Sequence, residues 1–119
     1  MADPAAALKF FFLLLLPASS LEQPGCIQVN QRTTGAFQGF DFEFEVEIEN
    51  ACACAQRNVR VDAPGFMTQR PVDPAALRRN GEGFLVAGGD PIAGGAAVRF
   101  TYWWDHATFF IPAGSLPAC

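Results

Sequence analysis

Four cysteines carry the clearest chemistry in this chain of 119 residues: Cys26, Cys52, Cys54 and Cys119. An even number of cysteines in a small chain is typical of disulfide pairing in an oxidising compartment. Cys52 and Cys54 are poor partners for each other, because Cβ atoms two residues apart on a strand lie about 6–7 Å apart and a disulfide needs about 3.8 Å. Two pairings remain open: Cys26–Cys52 with Cys54–Cys119, or Cys26–Cys54 with Cys52–Cys119.

A metal site or a catalytic centre has less support from the residue types present. A zinc site built on the Cys-x-Cys pair needs four ligands, and His106 is the only histidine of the chain. A catalytic triad of nucleophile, general base and orienting acid would need the same histidine as its base. Ser115 is the only serine after residue 20 that could be its nucleophile. We therefore expect no bound metal, no cofactor and no enzymatic activity.

Residues 40–49 alternate between apolar and acidic side chains without an error. The period of two predicts a β-strand with one face in a core and the other in water. The apolar positions, from Phe40 to Ile48, are expected in the core. The carboxylates form a row spaced by about 6.6 Å. This row keeps a sheet soluble, or it binds a cation or a basic partner. We assign three of its members to a candidate partner-binding surface: Glu43, Glu45 and Glu47.

Aromatic residues concentrate near the C-terminus, and most of them are expected to fill the core: Tyr102, Trp103, Trp104, His106, Phe109 and Phe110. A strand over residues 96–104 places Tyr102 and Trp104 on one face and Trp103 on the other. An exposed tryptophan can stack on a sugar ring or anchor a protein interface. Trp103 is therefore a second candidate for partner binding.

Short apolar segments separated by Gly and Pro turns predict an all-β protein, a small disulfide-stabilised antiparallel β-sandwich with one short helix. We expect strands at 26–31, 37–49, 58–62, 84–87 and 96–104, with a turn between residues 33 and 39. The helix is expected over residues 73–81, because Asp73 suits an N-cap, Pro74 the first helical position and Gly81 the position after the end. Arg78 and Arg79 would lie in its last turn, and both are candidates for partner contact.

The N-terminus has the pattern of a secretory signal peptide. Lys9 precedes an apolar run at residues 10–16, and small residues follow up to Ser20. The run is shorter than the roughly 20 residues of a membrane-spanning helix. We expect cleavage after Ser20, a signal peptide at 1–20, and a secreted β-domain at 21–119 with no membrane span. The net charge of −4 disfavours nucleic acid and anionic lipid as partners.

The order and spacing of the motifs resembles the plant tapetum-determinant-like proteins, a family of secreted cysteine-rich proteins. The matching motifs are Cys26-Ile27-x-Val29-x-Gln31, Thr34-Gly35, Phe44-x-Val46-x-Ile48-x-Asn50-x-Cys52-x-Cys54, Gly65-Phe66, Val72-Asp73-Pro74, Leu85-Val86, Pro91-Ile92, Val98-x-Phe100-x-Tyr102-x-Trp104 and Cys119. The resemblance implies an apoplastic ligand for the ectodomain of a leucine-rich-repeat receptor kinase, acting in cell fate determination during anther and reproductive development. An extracellular carbohydrate-binding module of the cell wall, using Trp103, is the alternative.

Two departures from the family pattern accompany this resemblance. The family usually has six cysteines, and this chain has Ala63-Pro64 and Phe84 where the other two stand. Their joint absence implies the loss of one bridge, so we predict a less constrained loop between Val61 and Phe84. The spacer before Cys26 is also short, which is similar to the shorter, less characterised branch of the family.

Overall fold

The computed structural model describes residues 25–119 of the chain. The expected signal peptide and its cleavage site after Ser20 lie outside the described residues. Seven strands follow one another: β1 (Ile27–Gln38), β2 (Asp41–Asn50), β3 (Gln56–Asp62), β4 (Leu77–Asn80), β5 (Gly83–Val86), β6 (Ala97–Trp104) and β7 (Ile111–Pro117). They form a three-stranded sheet in the order β1-β2-β6 and a four-stranded sheet in the order β4-β5-β3-β7, both antiparallel. The prediction of a mainly β, antiparallel, disulfide-stabilised domain is confirmed.

The core lies between the two sheets and follows the alternation of the strands. On β2, Phe44, Val46 and Ile48 are buried, and the carboxylates between them face outward. The second sheet contributes Val59 and Val61 from β3. Each such side chain contributes roughly 1.5–3 kcal/mol on burial, so the apolar half of the alternating pattern holds the two layers together.

The predicted first turn is wrong in its position, and as a result Phe40 and Phe42 lie outside the core. β1 continues through Thr33 with a bulge before Phe37, and the tight turn lies at Gly39 and Phe40. The hairpin therefore extends beyond the second sheet. Phe40 is 90% exposed and Phe42 is 45% exposed, so neither belongs to the core as the alternation predicted.

The predicted helix over residues 73–81 is wrong beyond its first turn. Asp73 does cap a turn, because its Oδ1 accepts the N–H of Ala75 at 2.9 Å and its carbonyl accepts the N–H of Leu77 at 3.1 Å. Leu77 then begins β4 and is buried opposite Val86 on β5. An isolated helix this short is marginal in water, whereas the hairpin buries Leu77 in the core.

The disulfides are Cys26–Cys52 and Cys54–Cys119, which is the first of the two pairings that the sequence left open. Cys26 precedes β1 in one sheet, and Cys119 follows β7 in the other sheet. The Cys-Ala-Cys segment therefore joins the two sheets covalently. The joint lies at the end of the domain where β1 begins and β7 ends.

The buried amide of Asn50 orders the Cys-Ala-Cys segment. Its Nδ2 donates to the carbonyl oxygens of Cys54 and Ile92, both at 2.9 Å, and its Oδ1 accepts the N–H of Cys52 at 3.0 Å. Gly94 packs against the same segment so closely that a Cβ there would lie 2.3 Å from the carbonyl oxygen of Ala53. A glycine is therefore required at position 94.

Phe66 anchors the loop between β3 and β4 close to Phe84 on β5, and the resembled family has its additional cysteines at Ala63-Pro64 and Phe84. Its ring lies 5.6 Å from the ring of Phe84, 5.2 Å from that of Tyr102 and 5.3 Å from that of Phe110. Aromatic pairs of this kind contribute about 0.5–1.5 kcal/mol beyond their burial. Aromatic packing is thus found in the region where the resembled family is expected to have a third disulfide. The lower constraint on this loop stays a prediction.

Candidate functional site

The outer side of the first sheet, here called the acidic face, carries the row of carboxylates on its central strand. Two of them form ion pairs with arginines on the flanking strands. Arg32 on β1 lies 2.7 Å from Glu45, and Arg99 on β6 lies 2.5 Å from Glu47. Each arginine stands directly opposite its partner in the register of the sheet. The row is therefore partly neutralised by its own neighbours, which the sequence pattern did not reveal.

The other carboxylates of the acidic face lie outside these two ion pairs. Glu43 accepts a hydrogen bond of 2.7 Å from the hydroxyl of Thr34. Within residues 25–119, Glu43, Asp41 and Glu49 form no ion pair. Three negative charges at the two ends of the row are thus available to a basic surface.

Trp103 lies on the acidic face directly across from Glu43, as the alternation of β6 predicted. Its ring is half-buried, because the guanidinium of Arg70 lies over it at 3.8 Å from the ring centroid. Arg70 is held in turn by Gln38, whose Oε1 accepts a hydrogen bond of 2.7 Å. The ring face that a sugar would need is therefore covered by a cation.

The backbone of β6 is also covered beside Trp103. The N–H of Gln69 donates to the carbonyl of Trp103 at 2.8 Å, and the N–H of Trp103 donates to the hydroxyl of Thr68 at 3.1 Å. The loop before β4 thus shields this end of an edge strand, and it places Arg70 over the ring.

Arg78 and Arg79 belong to the other layer of the sandwich. Both are exposed on β4, an edge strand of the second sheet. Arg78 stands opposite Leu85, and the guanidinium of Arg79 lies 4.7 Å from the ring centroid of Phe84. The structure therefore brings Glu43, Glu45, Glu47 and Trp103 together on one face, and it separates the two arginines from them.

Sequence reasoning missed a group of exposed aromatic side chains. Phe37 is 68% exposed, and Phe109, which was assigned to the core, is 83% exposed. Together with Phe40 and Phe42 they leave large apolar rings in water. The sequence held a local signal for Phe40 alone, because Gly39-Phe40 is suited to a two-residue hairpin turn and would therefore interrupt the strand.

The only tyrosine of the chain forms a buried polar network rather than a reactive site. The hydroxyl of Tyr102 donates to Oε1 of Gln31 and accepts the N–H of Thr108 at 2.8 Å. Nε2 of Gln31 donates to the carbonyl of Thr108 at 2.8 Å, which closes a ring of hydrogen bonds. Burial raises the pKa of the Tyr102 hydroxyl above its ordinary value of 10.0. The network joins β1, β6 and the loop before β7.

Within the described part of the chain there is neither a cluster of metal-ligating side chains nor a membrane-spanning helix. No group of three or more His, Cys, Asp and Glu side chains within residues 25–119 is arranged to hold a metal ion. No helix in the same range is long and apolar enough to cross a membrane.

Comparison with known proteins places the chain in a family. A search of the curated proteins found no match, and a search of the solved structures found none either. The family model described as "Tapetum determinant 1, C-terminal" matches residues 23–119, which is most of the chain and nearly all of the part that the structure describes. The match agrees with the resemblance seen in the order of the sequence motifs. The chain therefore belongs to the tapetum determinant 1 family.

Proposed function

We propose that this protein is a secreted signalling protein, a ligand for the ectodomain of a plant leucine-rich-repeat receptor kinase, with no catalytic role. It would act in the apoplast, in cell fate determination during anther and reproductive development. Family membership over residues 23–119 is the observation that carries the proposal. The two disulfides support it, because a small domain cross-linked in this way suits an oxidising, extracellular environment.

The acidic face is the proposed contact with the receptor. Glu43, Glu45 and Glu47 on β2 and Trp103 on β6 lie side by side on two adjacent strands, so one partner surface can touch all of them. The carboxylates without ion pairs favour a basic partner surface and a fast, salt-dependent association. Arg78 and Arg79 would form a separate contact, because they lie on the other sheet.

The carbohydrate-binding alternative has less support from the geometry. Stacking on a sugar requires an open aromatic face. Arg70 already covers the ring of Trp103, and Gln38 holds Arg70 in that position. A glycan would have to displace this arginine before it could stack.

The test is binding of the purified, oxidised protein (residues 21–119) to a panel of leucine-rich-repeat receptor ectodomains by surface plasmon resonance, with cell-wall glycans in parallel. We expect saturable binding to a receptor ectodomain that is lost on reduction of the disulfides. Binding to glycans alone, together with a sugar-dependent change in tryptophan fluorescence, would replace the proposal with the alternative.

Charge reversal tests the assignment of the acidic face. We expect Glu43→Lys to weaken receptor binding at least tenfold, because it places a cation where a basic surface docks. Glu82→Lys is the matched control, since Glu82 is exposed in the turn between β4 and β5 on the other sheet. Equal affinities of the two variants would remove the acidic face from the interface. Arg78→Glu with Arg79→Glu tests the second contact in the same assay.

A further inference from the structure

The end of the β1–β2 hairpin presents three phenylalanines to solvent, here called the aromatic tip: Phe37, Phe40 and Phe42. Their exposed fractions are 68%, 90% and 45%. Phe37 and Phe42 stand opposite each other in the register, and their ring centroids are 6.3 Å apart. With about 200 Å² for each phenylalanine, the tip exposes roughly 400 Å² of apolar surface. A contiguous patch of this size on a monomer is often a binding site.

The aromatic tip does not contribute to the core of this domain. The last residues of the first sheet that the rest of the domain buries are Phe44 and the adjacent Tyr102. The rings of Phe66 and Phe110 pack there, against Tyr102. None of the three tip residues belongs to the buried cluster or packs against it. Because these rings lie outside the core and only Phe37 and Phe42 contact each other, their apolar character is not explained by the packing of the core.

The charges beside the aromatic tip define the kind of partner that fits. Asp41 follows Phe40 directly, and Glu43 follows Phe42; neither forms an ion pair within the described residues. The neighbouring cation, Arg70, is engaged by Trp103 and Gln38. Two tips related by a two-fold axis would bring like charges together, which is costly at an interface. Anionic lipid would be repelled in the same way. A protein pocket that is apolar inside and basic at its rim is complementary in both respects.

We infer that the aromatic tip is the apolar anchor through which this protein binds its protein partner. The inference rests on the proposed function, in which that partner is a receptor ectodomain. The tip would occupy an apolar pocket bordered by Lys or Arg, and the acidic face, on the outer side of the same hairpin, would meet the basic rim. A protruding hairpin suits the concave surface of a solenoid repeat protein, and large aromatic side chains are the residues that most often dominate binding energy at interfaces.

The test compares Phe40→Ser and Phe37→Ser with wild type for binding to the receptor ectodomains. We expect each variant to lower the affinity at least tenfold through faster dissociation, since a buried aromatic anchor acts mainly on the off-rate. Leu116→Ser is the matched control, because Leu116 is 46% exposed but lies on β7, three residues before Cys119. It should bind within twofold of wild type. Melting temperatures of all three variants should stay within about 3 °C of wild type.

The outcomes separate this inference from the function on which it rests. Wild-type binding to no ectodomain would overturn the proposed function and the inference with it. Receptor binding that tolerates Phe40→Ser and Phe37→Ser, or that Leu116→Ser weakens equally, would overturn the tip assignment alone.

Two further measurements distinguish other occupants of the aromatic tip. They are flotation with phosphatidylcholine and phosphatidylserine vesicles, and analytical ultracentrifugation over a range of concentrations. Vesicle binding or dimer formation that Phe40→Ser abolishes would assign the tip to a membrane or to a second copy of the chain, and would overturn the inference. Absence of both effects, with receptor binding lost in the tip variants, supports it.

Discussion

The two ends of the β1–β2 pair differ in what their side chains contact. At one end, here called the disulfide end, Cys26 is bonded to Cys52, and Asn50 makes three hydrogen bonds inside the protein. At the other end, roughly 30 Å away along the strands, the aromatic tip leaves its rings in water. The same two strands therefore have one end that is bonded to the rest of the domain and one end whose aromatic rings lie outside the core. The first end stabilises the domain, and the second is available to a partner.

The difference arises from the second layer of the sandwich. Both sheets are covalently joined at the disulfide end through Cys52 and Cys54. The strands β4 and β5 have only four residues each, whereas β1 has twelve and β2 has ten. A short layer cannot cover a long hairpin, so its outer end stays uncovered.

Removal of a disulfide should lower the free energy of unfolding more than loss of any one hydrogen-bonding side chain. Cys54–Cys119 joins residues 65 apart, and Cys26–Cys52 joins residues 26 apart. Loop-closure entropy predicts that serine replacement of the first pair lowers the free energy of unfolding by about 4.3 kcal/mol and replacement of the second by about 3.5 kcal/mol. Urea unfolding followed by tryptophan fluorescence measures both. A larger loss for the shorter loop would show that local contacts, rather than chain entropy, govern the disulfide end.

Asn50→Ala should have the next largest effect, because it removes three buried or half-buried hydrogen bonds, to the carbonyls of Cys54 and Ile92 and from the N–H of Cys52. Only the Ile92 carbonyl keeps a second donor, the N–H of Gln56. We expect a loss of about 3 kcal/mol in the free energy of unfolding. Asn30→Ala is the control, since the side chain of Asn30 is exposed and makes one long contact of 3.5 Å to Glu47. Its effect should stay within about 0.5 kcal/mol. Similar losses in both variants would contradict the role given to Asn50.

Tyr102→Phe tests the region between the two ends. Loss of the hydroxyl removes its bonds to Gln31 and Thr108, so we expect the free energy of unfolding to fall by about 1–2 kcal/mol. The pKa of Tyr102 is raised in the folded state by burial. The folded state therefore keeps the hydroxyl proton at a pH at which the unfolded chain loses it. The contribution of Tyr102 to the free energy of unfolding is complete below pH 10.0 and is lost as the pH rises through the raised pKa of the folded state.

Urea midpoints measured across this alkaline range should fall more steeply for wild type than for Tyr102→Phe. Tyr102 is the only tyrosine, so the absorbance of tyrosinate reports its ionisation directly. Parallel pH dependences of the two proteins would show that the hydroxyl is accessible to water.

Phe40→Ser should have the smallest effect on stability, within about 0.5 kcal/mol, because the ring is 90% exposed. Phe44→Ala on the same strand is the contrast, since Phe44 is buried and its truncation should cost about 3–5 kcal/mol. Thermal unfolding of the two variants measures the difference. A large loss for Phe40→Ser would mean that the aromatic tip packs against the domain, and the tip would cease to differ from the disulfide end.

The sequence predicted which side chains form the acidic face, but it did not predict the cations that contact them. The alternation of β2 placed Glu43, Glu45 and Glu47 on one outward face, and the alternation of β6 placed Trp103 beside them. The cations that contact this face come from elsewhere in the chain. Arg99 reaches Glu47 across 52 residues, and Arg70, held by Gln38, covers Trp103. No local pattern encodes such contacts.

The segment from Asp73 to Gly81 shows the same limit for secondary structure. The N-cap of Asp73 was predicted correctly from its neighbours, because a cap involves only residues close in sequence. The continuation as a helix was wrong, because the burial of Leu77 opposite Val86 depends on β5 and the core. Marginal local preferences of this kind are decided by tertiary packing.

By itself, the sequence determined the all-β class, the outward row of carboxylates, the inward Phe44, Val46 and Ile48, and a bond for every cysteine. These properties depend on periodicity and composition, which each strand carries along its own length. Tertiary structure alone decided which cysteines pair, where the second layer ends, and which aromatic rings remain in water. Burial is a relation between segments distant in sequence, so an apolar strand residue such as Phe42 is predicted in the core although the layer that would cover it ends before it.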